Sequence, residues 1–282
     1  MPEQHARKSG IVRARQRATQ ERARATRAAG IANRHELLAA QGNPGLRVLH
    51  LDMAAIHRDI ERRHYAAARL HTAHAERLAA GTVPPFIAAV ADELGAGHVG
   101  ISLVLGDRTD AVSVASDAIA TIGQDLENTL GEGPVHDVVA AGHPIVADEA
   151  AFALRWPLYA PAMARYGVRS VAAEPLRTTG GCLGVLTVFD PPAEQVESLA
   201  TVADALVHSA LLAPDSADPL DLPLLVGVDH HAVMYQASGM IAEQLGCEPA
   251  DGLAVLRARA FAADAPLAVL ADEIVHKGLR LG

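Results

Sequence analysis

Aromatic residues are scarce in this sequence: they make up 3% of its 282 positions, with a single tryptophan. Alanine, valine and leucine must therefore do most of the packing. Cysteine occurs only at 182 and 247, too few and too isolated for a disulfide framework or a CxxC metal knuckle, so Cys182 and Cys247 read as small buried hydrophobes in a reducing compartment. Long apolar runs are missing too. Val99 to Leu105 and Cys182 to Phe189 stop well short of the roughly eighteen residues a spanning helix needs, and no cleavable signal pattern opens the chain. The expectation is a cytoplasmic protein with no membrane contact.

Catalytic patterns are equally absent. Gly131-Glu132-Gly133 and Gly180-Gly181 lack the Lys-Ser/Thr or the third spaced glycine of a phosphate loop, and the serines show no nucleophile elbow. His136, Asp137 and His143 have no fourth ligand at a convincing spacing, and no metal cluster suited to cyclic-nucleotide turnover is visible. We expect a non-enzyme without metal or cofactor.

What is present begins with an uneven charge distribution. The formal net charge is -9, yet Arg7, Lys8, Arg13, Arg15, Arg17, Arg22, Arg24, Arg27 and Arg34 meet only Glu3 and Glu21 in the first 34 residues. Such an arm reads as a solvated, disordered tail; the alternative is a segment that neutralises phosphates by counterion release, partly helical when bound. After the turn-rich Gly42-Asn43-Pro44-Gly45, Leu46, Leu49, Met53, Ile56, Ile60, Ala67 and Leu70 fall on three- and four-residue steps. That is the seam of a helix able to pair with a second copy. His50, His57, His64 and His71 recur every seven residues and are expected beside this seam, as a hydrated polar row or as a pH-sensitive zipper.

From about residue 81 the pattern becomes that of a sheet with helices. Pro84–Leu94 and Ala118–Leu130 read as helices, and His98–Leu105 and Ala111–Ala115 as strands. A short strand at Pro144–Ala147 and a helix at Tyr159–Tyr166 follow. Val168–Pro175 and Cys182–Phe189 form a closing hairpin, and Glu194–Leu212 an exit helix. Leu130-Gly131-Glu132-Gly133-Pro134, Arg155-Trp156-Pro157, Gly167-Val168-Arg169-Ser170-Val171, Pro175-Leu176 and Gly184-Val185-Leu186 together resemble a GAF domain over residues 81–213, of the kind that actinobacterial regulators join to an ANTAR module. The resemblance implies a mainly antiparallel sheet with helices on its faces and a site for varied small ligands or for none. Val135 stands where this subgroup usually has cysteine, so thiol-based sensing does not carry over. Bilin and haem ligation lack support as well, since the middle of the domain has no cysteine. Trp156, with Arg155 and Tyr159, is the candidate ligand-lining set, because indole joins a large apolar face to one N–H donor; the alternative is a core plug under the sheet.

Residues 214–227 read as a semi-rigid acidic linker with Pro214, Pro219 and Pro223. Beyond it, Val233, Ala237, Met240, Ile241, Ala242 and Leu245 give one helical stripe, stopped at Gly246. Pro249 opens a second helix with Leu253, Leu256 and Phe261 inward, and Asp264 caps a third carrying Leu267, Leu270, Ile274, Val275 and Leu279. Gln236, Ala237, Gly239, Leu245, Gly246, Leu253, Leu256, Arg257, Ala260, Phe261, Leu267 and Ala271 resemble the ANTAR pattern, a three-helix module associated with antitermination through RNA hairpin binding. Ser238, Gly252 and Arg259 depart from it, standing where relatives often have Lys, Ala and His. Candidate RNA contacts are Gln236 and Ser238, as polar readers of loop bases, and Arg257, Arg259, Lys277 and Arg280, as a local basic edge. Charge runs the other way, since from Asp215 onward ten acidic residues face four basic ones.

The fold class expected is α/β plus all-α. It comprises a basic, disordered arm (1–45), a long amphipathic, coiled-coil-like helix (46–80), a GAF-type antiparallel sheet domain (81–213), the linker (214–227) and a three-helix ANTAR domain (228–282). The function expected is a homodimeric, signal-responsive antitermination regulator that binds RNA hairpins and carries a small-molecule site in its GAF domain. The alternative is a dimeric signalling scaffold with little RNA affinity. DNA-binding regulation is weaker, because no basic recognition helix is visible.

Overall fold

The computed structural model describes residues 2–81, 85–105, 108–208, 230–263, 265 and 267–280. The chain forms two compact units, one of residues 1–95 with 197–223, the other of residues 96–196 with 224–282. The linker 214–227 and the Asp264 cap lie outside the described residues.

The first unit is built on a helical hairpin. Helices α1 (Pro2–Gln41) and α2 (Arg47–Ala80) run antiparallel, for Arg7 meets Leu78, Arg22 meets Thr72, Glu21 meets His64 and Glu36 meets Arg58. The turn between them uses the expected breaker, with the Asn43 side chain accepting from the Gly45 amide at 2.8 Å. At the other end the Arg7 guanidinium donates to the carbonyls of Leu78 and Ala79, which the end of α2 leaves unpaired. Residues 2–41 are therefore a packed helix and not the disordered arm that composition suggested. Ala14, Ala18, Glu21, Ala25, Ala28, Ala32 and Ala39 are the buried positions, spaced as a heptad seam. Alanine contributes little to an apolar count, yet it has the highest helix propensity and lets two helices approach closely; the burial against α2 supplies what an isolated helix lacks.

The histidine row lies in this seam, not beside the one expected. His50 Nδ1 is 3.1 Å from His35 Nδ1, the His57 ring stacks on that of His35, and His64 pairs with the buried Glu21 carboxylate at 2.6 Å. Leu46, Leu49 and Ile56 of the expected seam are instead exposed, at 46%, 54% and 51%. Further along α2, His71 and His74 pack against Phe86 of α3 (Pro85–Glu93), which is also tied to α2 by Arg77–Asp92 and Arg69–Glu93 ion pairs.

The second unit contains a five-stranded antiparallel sheet in the order β2-β1-β5-β4-β3. Its strands are β1 (His98–Leu105), β2 (Arg108–Ala115), β3 (Ile145–Ala147), β4 (Val171–Thr178) and β5 (Gly181–Phe189). β4 and β5 form the expected hairpin, and β1 joins β5 with Ile101 opposite Leu186. Helix α4 (Ala118–Leu130) starts at an Asp117 cap, whose carboxylate accepts from the Ala120 amide. Two short helices not expected from the sequence, α5 (Pro134–Ala141) and α6 (Glu149–Arg155), flank β3, and α7 (Tyr159–Ala164) precedes β4. Helix α8 (Val196–Leu206) follows β5 and, from residue 197 on, belongs to the first unit. The rest of the second unit is a cluster of α9 (His230–Leu245), α10 (Pro249–Ala262) and α11 (Leu267–Lys277). No helix among the described residues is long and apolar enough to cross a membrane.

Burial, reinforced by the Arg17 charge, lowers the pKa of both His71 and His74 from 6.5 to about 4. The unfolded chain takes up these protons as pH falls through about 6.5, while the folded chain does not until about 4. Stability is thus full above the unfolded value and is lost progressively between the two, by about 3 kcal/mol for one such histidine at the low end. Thermal melts followed by circular dichroism should fall steadily from pH 7 to 4.5, and His71→Leu should flatten that dependence.

Candidate functional site

Two places carry the residues singled out by sequence. The first is the irregular segment between α4 and β4, where the Gly-Glu-Gly-Pro stretch turns the chain sharply. Gly131 ends α4 in the left-handed conformation, and Gly133, at φ 154°, leads into α5 with Pro134 in its first turn. A Cβ at Gly133 would lie 2.1 Å from Glu127 Cγ, so that position must be glycine for the carboxylate to pass. Glu127, 2% exposed, reaches under the turn, and its Oε1 accepts from the Val135 amide at 2.5 Å. Glu132 Oε1 accepts from the amides of Leu158 and Tyr159, both at 2.6 Å. Each carboxylate thereby sits on the otherwise unpaired amides of a helix start, α5 for Glu127 and α7 for Glu132, where the positive end of the helix favours it.

This clasp positions an aromatic cluster. Phe152, Trp156 and Tyr159 are buried and meet edge to face, with centroids 5.4, 5.9 and 6.3 Å apart. Val135, Val138, Met163 and Phe189 complete the core around them. Trp156 Nε1 and Tyr159 Oη are buried without a hydrogen-bond partner, an uncommon state for such atoms. Burial, followed by the nearby Glu127 charge, pushes the Tyr159 phenol well above its usual value, so it stays protonated as a donor. Arg155 lies apart from the other two: it is exposed, bonds to Asp137 at 2.6 Å and stands 5.7 Å from the indole centroid. The structure therefore brings Trp156 and Tyr159 together in the core and puts Arg155 at its rim. Glu127 and Glu132, which hold the arrangement, were not singled out from sequence; a carboxylate inside a Gly-rich breaker was the available signal.

His136, Asp137 and His143 do not assemble into a ligand set, and no group of three histidine, cysteine or carboxylate side chains suited to a metal ion occurs among the described residues.

The second place is the α9–α11 cluster, whose core is Met234, Ala237, Ile241, Leu256, Ala260, Leu267, Leu270, Ala271 and Ile274. Gln236, Arg259, Lys277 and Arg280 are exposed and Arg257 is half-buried. Lys277 pairs with Glu273 at 3.2 Å. Ser238 is a correction: at 3% exposure it lies in the crossing of α9 and α10 and presents no surface to a nucleic acid. Phe261 is another, because it is 68% exposed and does not point inward. It borders a cleft of about 440 Å³ that is also lined by Ile122, Leu126, Leu158 and Tyr166.

A GAF domain family model matches residues 46–209, more than half of the chain, and the protein belongs to the GAF domain family. The match begins at the start of α2, so that helix falls within the region that sequence reading had confined to 81–213. The antiparallel sheet with flanking helices fits that fold, and a GAF domain is a sensing or signalling module. No curated protein matches the chain.

Gly252 tests the helix crossing. A Cβ there would sit 2.4 Å from the Ser238 carbonyl oxygen and 3.1 Å from the Ala242 amide, both backbone atoms. The clash, roughly 1–3 kcal/mol when helices are forced apart, outweighs the roughly 1 kcal/mol that alanine gains over glycine in a helix. Gly252→Ala should therefore lower the urea midpoint, although alanine is the better helix former.

Proposed function

We propose that this protein is a signal-responsive regulator of transcription antitermination. The α9–α11 cluster is an ANTAR module that binds RNA hairpins, and the GAF domain is its sensing part. The observation that carries this reading is how the motif residues divide. Ala237, Leu256, Ala260, Leu267 and Ala271 form the core of the cluster, while Gln236, Arg259 and Phe261 of the same stretch stay exposed and packing does not use them. An exposed ring beside amide and guanidinium groups suits unstacked loop bases, which are held by stacking and by hydrogen bonds to their edges. Arg257 and Arg280 add charge at the same module, and Lys277 offers its ammonium only by sharing it with Glu273.

The protein acts without catalysing a reaction and without a cofactor, in the cytoplasm. The exposed stripe Leu46, Leu49 and Ile56 supports a homodimer, since pairing with a second copy would bury these side chains. In the GAF domain, Trp156 and Tyr159 hold two buried donors that a small molecule with acceptor atoms would satisfy, and Arg155 guards the rim. The domain reading is an α1 arm, the α2 helix, a GAF domain, a linker and an ANTAR domain at 228–282.

A second reading has its own support: ten acidic residues against four basic ones from Asp215 onward disfavour phosphate contact and suit a scaffold that works through protein partners. Gel shifts with two-loop RNA hairpins decide between them. Loop-dependent binding that weakens at least tenfold in Gln236→Ala and Phe261→Ala is expected. Equal binding to hairpins with scrambled loops would leave the scaffold. In sedimentation velocity, Leu49→Glu with Ile56→Glu should convert dimer to monomer.

A further inference from the structure

Helix α1 concentrates positive charge, only part of which the hairpin uses, through Arg7, Arg22 and Arg24. Residues 2–41 hold nine basic and three acidic side chains, against 15 and 30 over residues 42–282. In the helix these charges are sorted by face. Arg13, Arg17, Arg24, Arg27 and Arg34 follow one another on steps of four, three and seven residues, so they run as a single line down one flank of α1, clear of the alanine seam. The line covers about 32 Å at 1.5 Å per residue.

Most of this line has no partner. Arg24 is bonded to Glu21, and Arg17 lies near enough to His71 and His74 to depress their protonation. Arg13, Arg27 and Arg34 are exposed and form no ion pair among the described residues. The acids nearby are occupied elsewhere: Glu36 and Glu61 clamp Arg58, and Asp59 is bonded to Arg62. Like charges three and four residues apart destabilise a helix, so an uncompensated line of arginines costs the hairpin stability and calls for a polyanion to offset it.

We infer that the flank of α1 marked by Arg13, Arg17, Arg27 and Arg34 is a docking surface for the phosphodiester backbone of RNA. Guanidinium groups bind phosphate through paired N–H donors, and release of condensed counterions makes a row of them additive in affinity. The surface reads no sequence, since backbone contacts carry none. A lipid surface fits less well. Helix α1 has no aromatic residue, and its exposed large apolar side chains are Val12, Ile31, Leu37 and Leu38, four over 40 residues, where a membrane-lying helix needs a continuous apolar face. The choice of RNA as the polyanion rests on the proposed function; the arginine line itself does not, because α1 lies outside the ANTAR segment.

The test is fluorescence anisotropy of the full chain with a fluorescein-labelled two-loop RNA hairpin at 50, 100 and 200 mM KCl. The triple variant Arg13→Gln, Arg27→Gln, Arg34→Gln should bind at least tenfold more weakly at 50 mM. Its slope of log affinity against log salt should be shallower by about 2, at roughly 0.7–0.9 per lost phosphate contact. Circular dichroism should be unchanged, and Arg13→Lys, Arg27→Lys, Arg34→Lys should keep most of the affinity. Unchanged affinity and slope in the glutamine variant overturns the inference, as does a wild-type chain that fails to bind the hairpin at 50 mM KCl. Loss of binding to phosphatidylserine vesicles with RNA binding intact overturns it in favour of a membrane. Scrambling the loops keeps the two proposals apart: loss of loop preference with arginine dependence retained removes the ANTAR reading and leaves the α1 surface standing.

Discussion

A buried carboxylate sits at the root of the sensing domain. Glu127 projects from α4 beneath the Gly133 turn and takes up the first amides of α5, a place where the only other partner would be water. Without it, α5 would start in the interior with unpaired donors, each costly to bury. Fixing α5 also fixes the turn that presents Glu132, and Glu132 in turn holds the start of α7. The aromatic trio Phe152, Trp156 and Tyr159 inherits its geometry from this pair of clasps. The backbone of a segment that lacks strong secondary-structure signals is thus ordered by two side chains rather than by a ladder.

The hairpin of the other unit rests on a different economy. An alanine seam brings α1 close to α2, and histidine, the largest polar residue of that seam, fills the space opposite. The result is a helix pair with few large apolar groups and a core that tolerates charge poorly, as the depressed His71 and His74 show. Because the seam needs only small residues, the remaining faces are free for other uses: arginines on α1, and exposed Leu49 and Ile56 on α2.

Much of the architecture was legible in the chain. The bounds of β1 and α4 agree with the pattern-based expectation, because alternation and a 3.6-residue period are strong over their full length. α5 and α6 were missed, being one to two turns long and started by glycine, proline and capping contacts that a periodicity cannot register. The candidate residues fared unevenly for the same reason. Gln236 and Arg259 lie on the surface, but Ser238 and Phe261 exchange the inside and outside roles assigned to them. A helical stripe fixes a face only to within about one residue, and a neighbouring glycine that permits a close crossing shifts which side chain is covered.

What the sequence determined by itself was the class of most segments: a sheet domain bearing the GAF pattern, a long helix before it and three short amphipathic helices, while the basic stretch at the start was read as a tail. These follow from composition, period and breakers, which are local properties. Tertiary structure alone decided which face each helix buries. It turned the supposed tail into half of a hairpin, moved the histidines into the seam, buried Ser238 and aligned the arginines on a free flank. The reason is that burial depends on what arrives opposite a residue, and for alanine, histidine and serine that partner, rather than intrinsic hydrophobicity, sets the outcome.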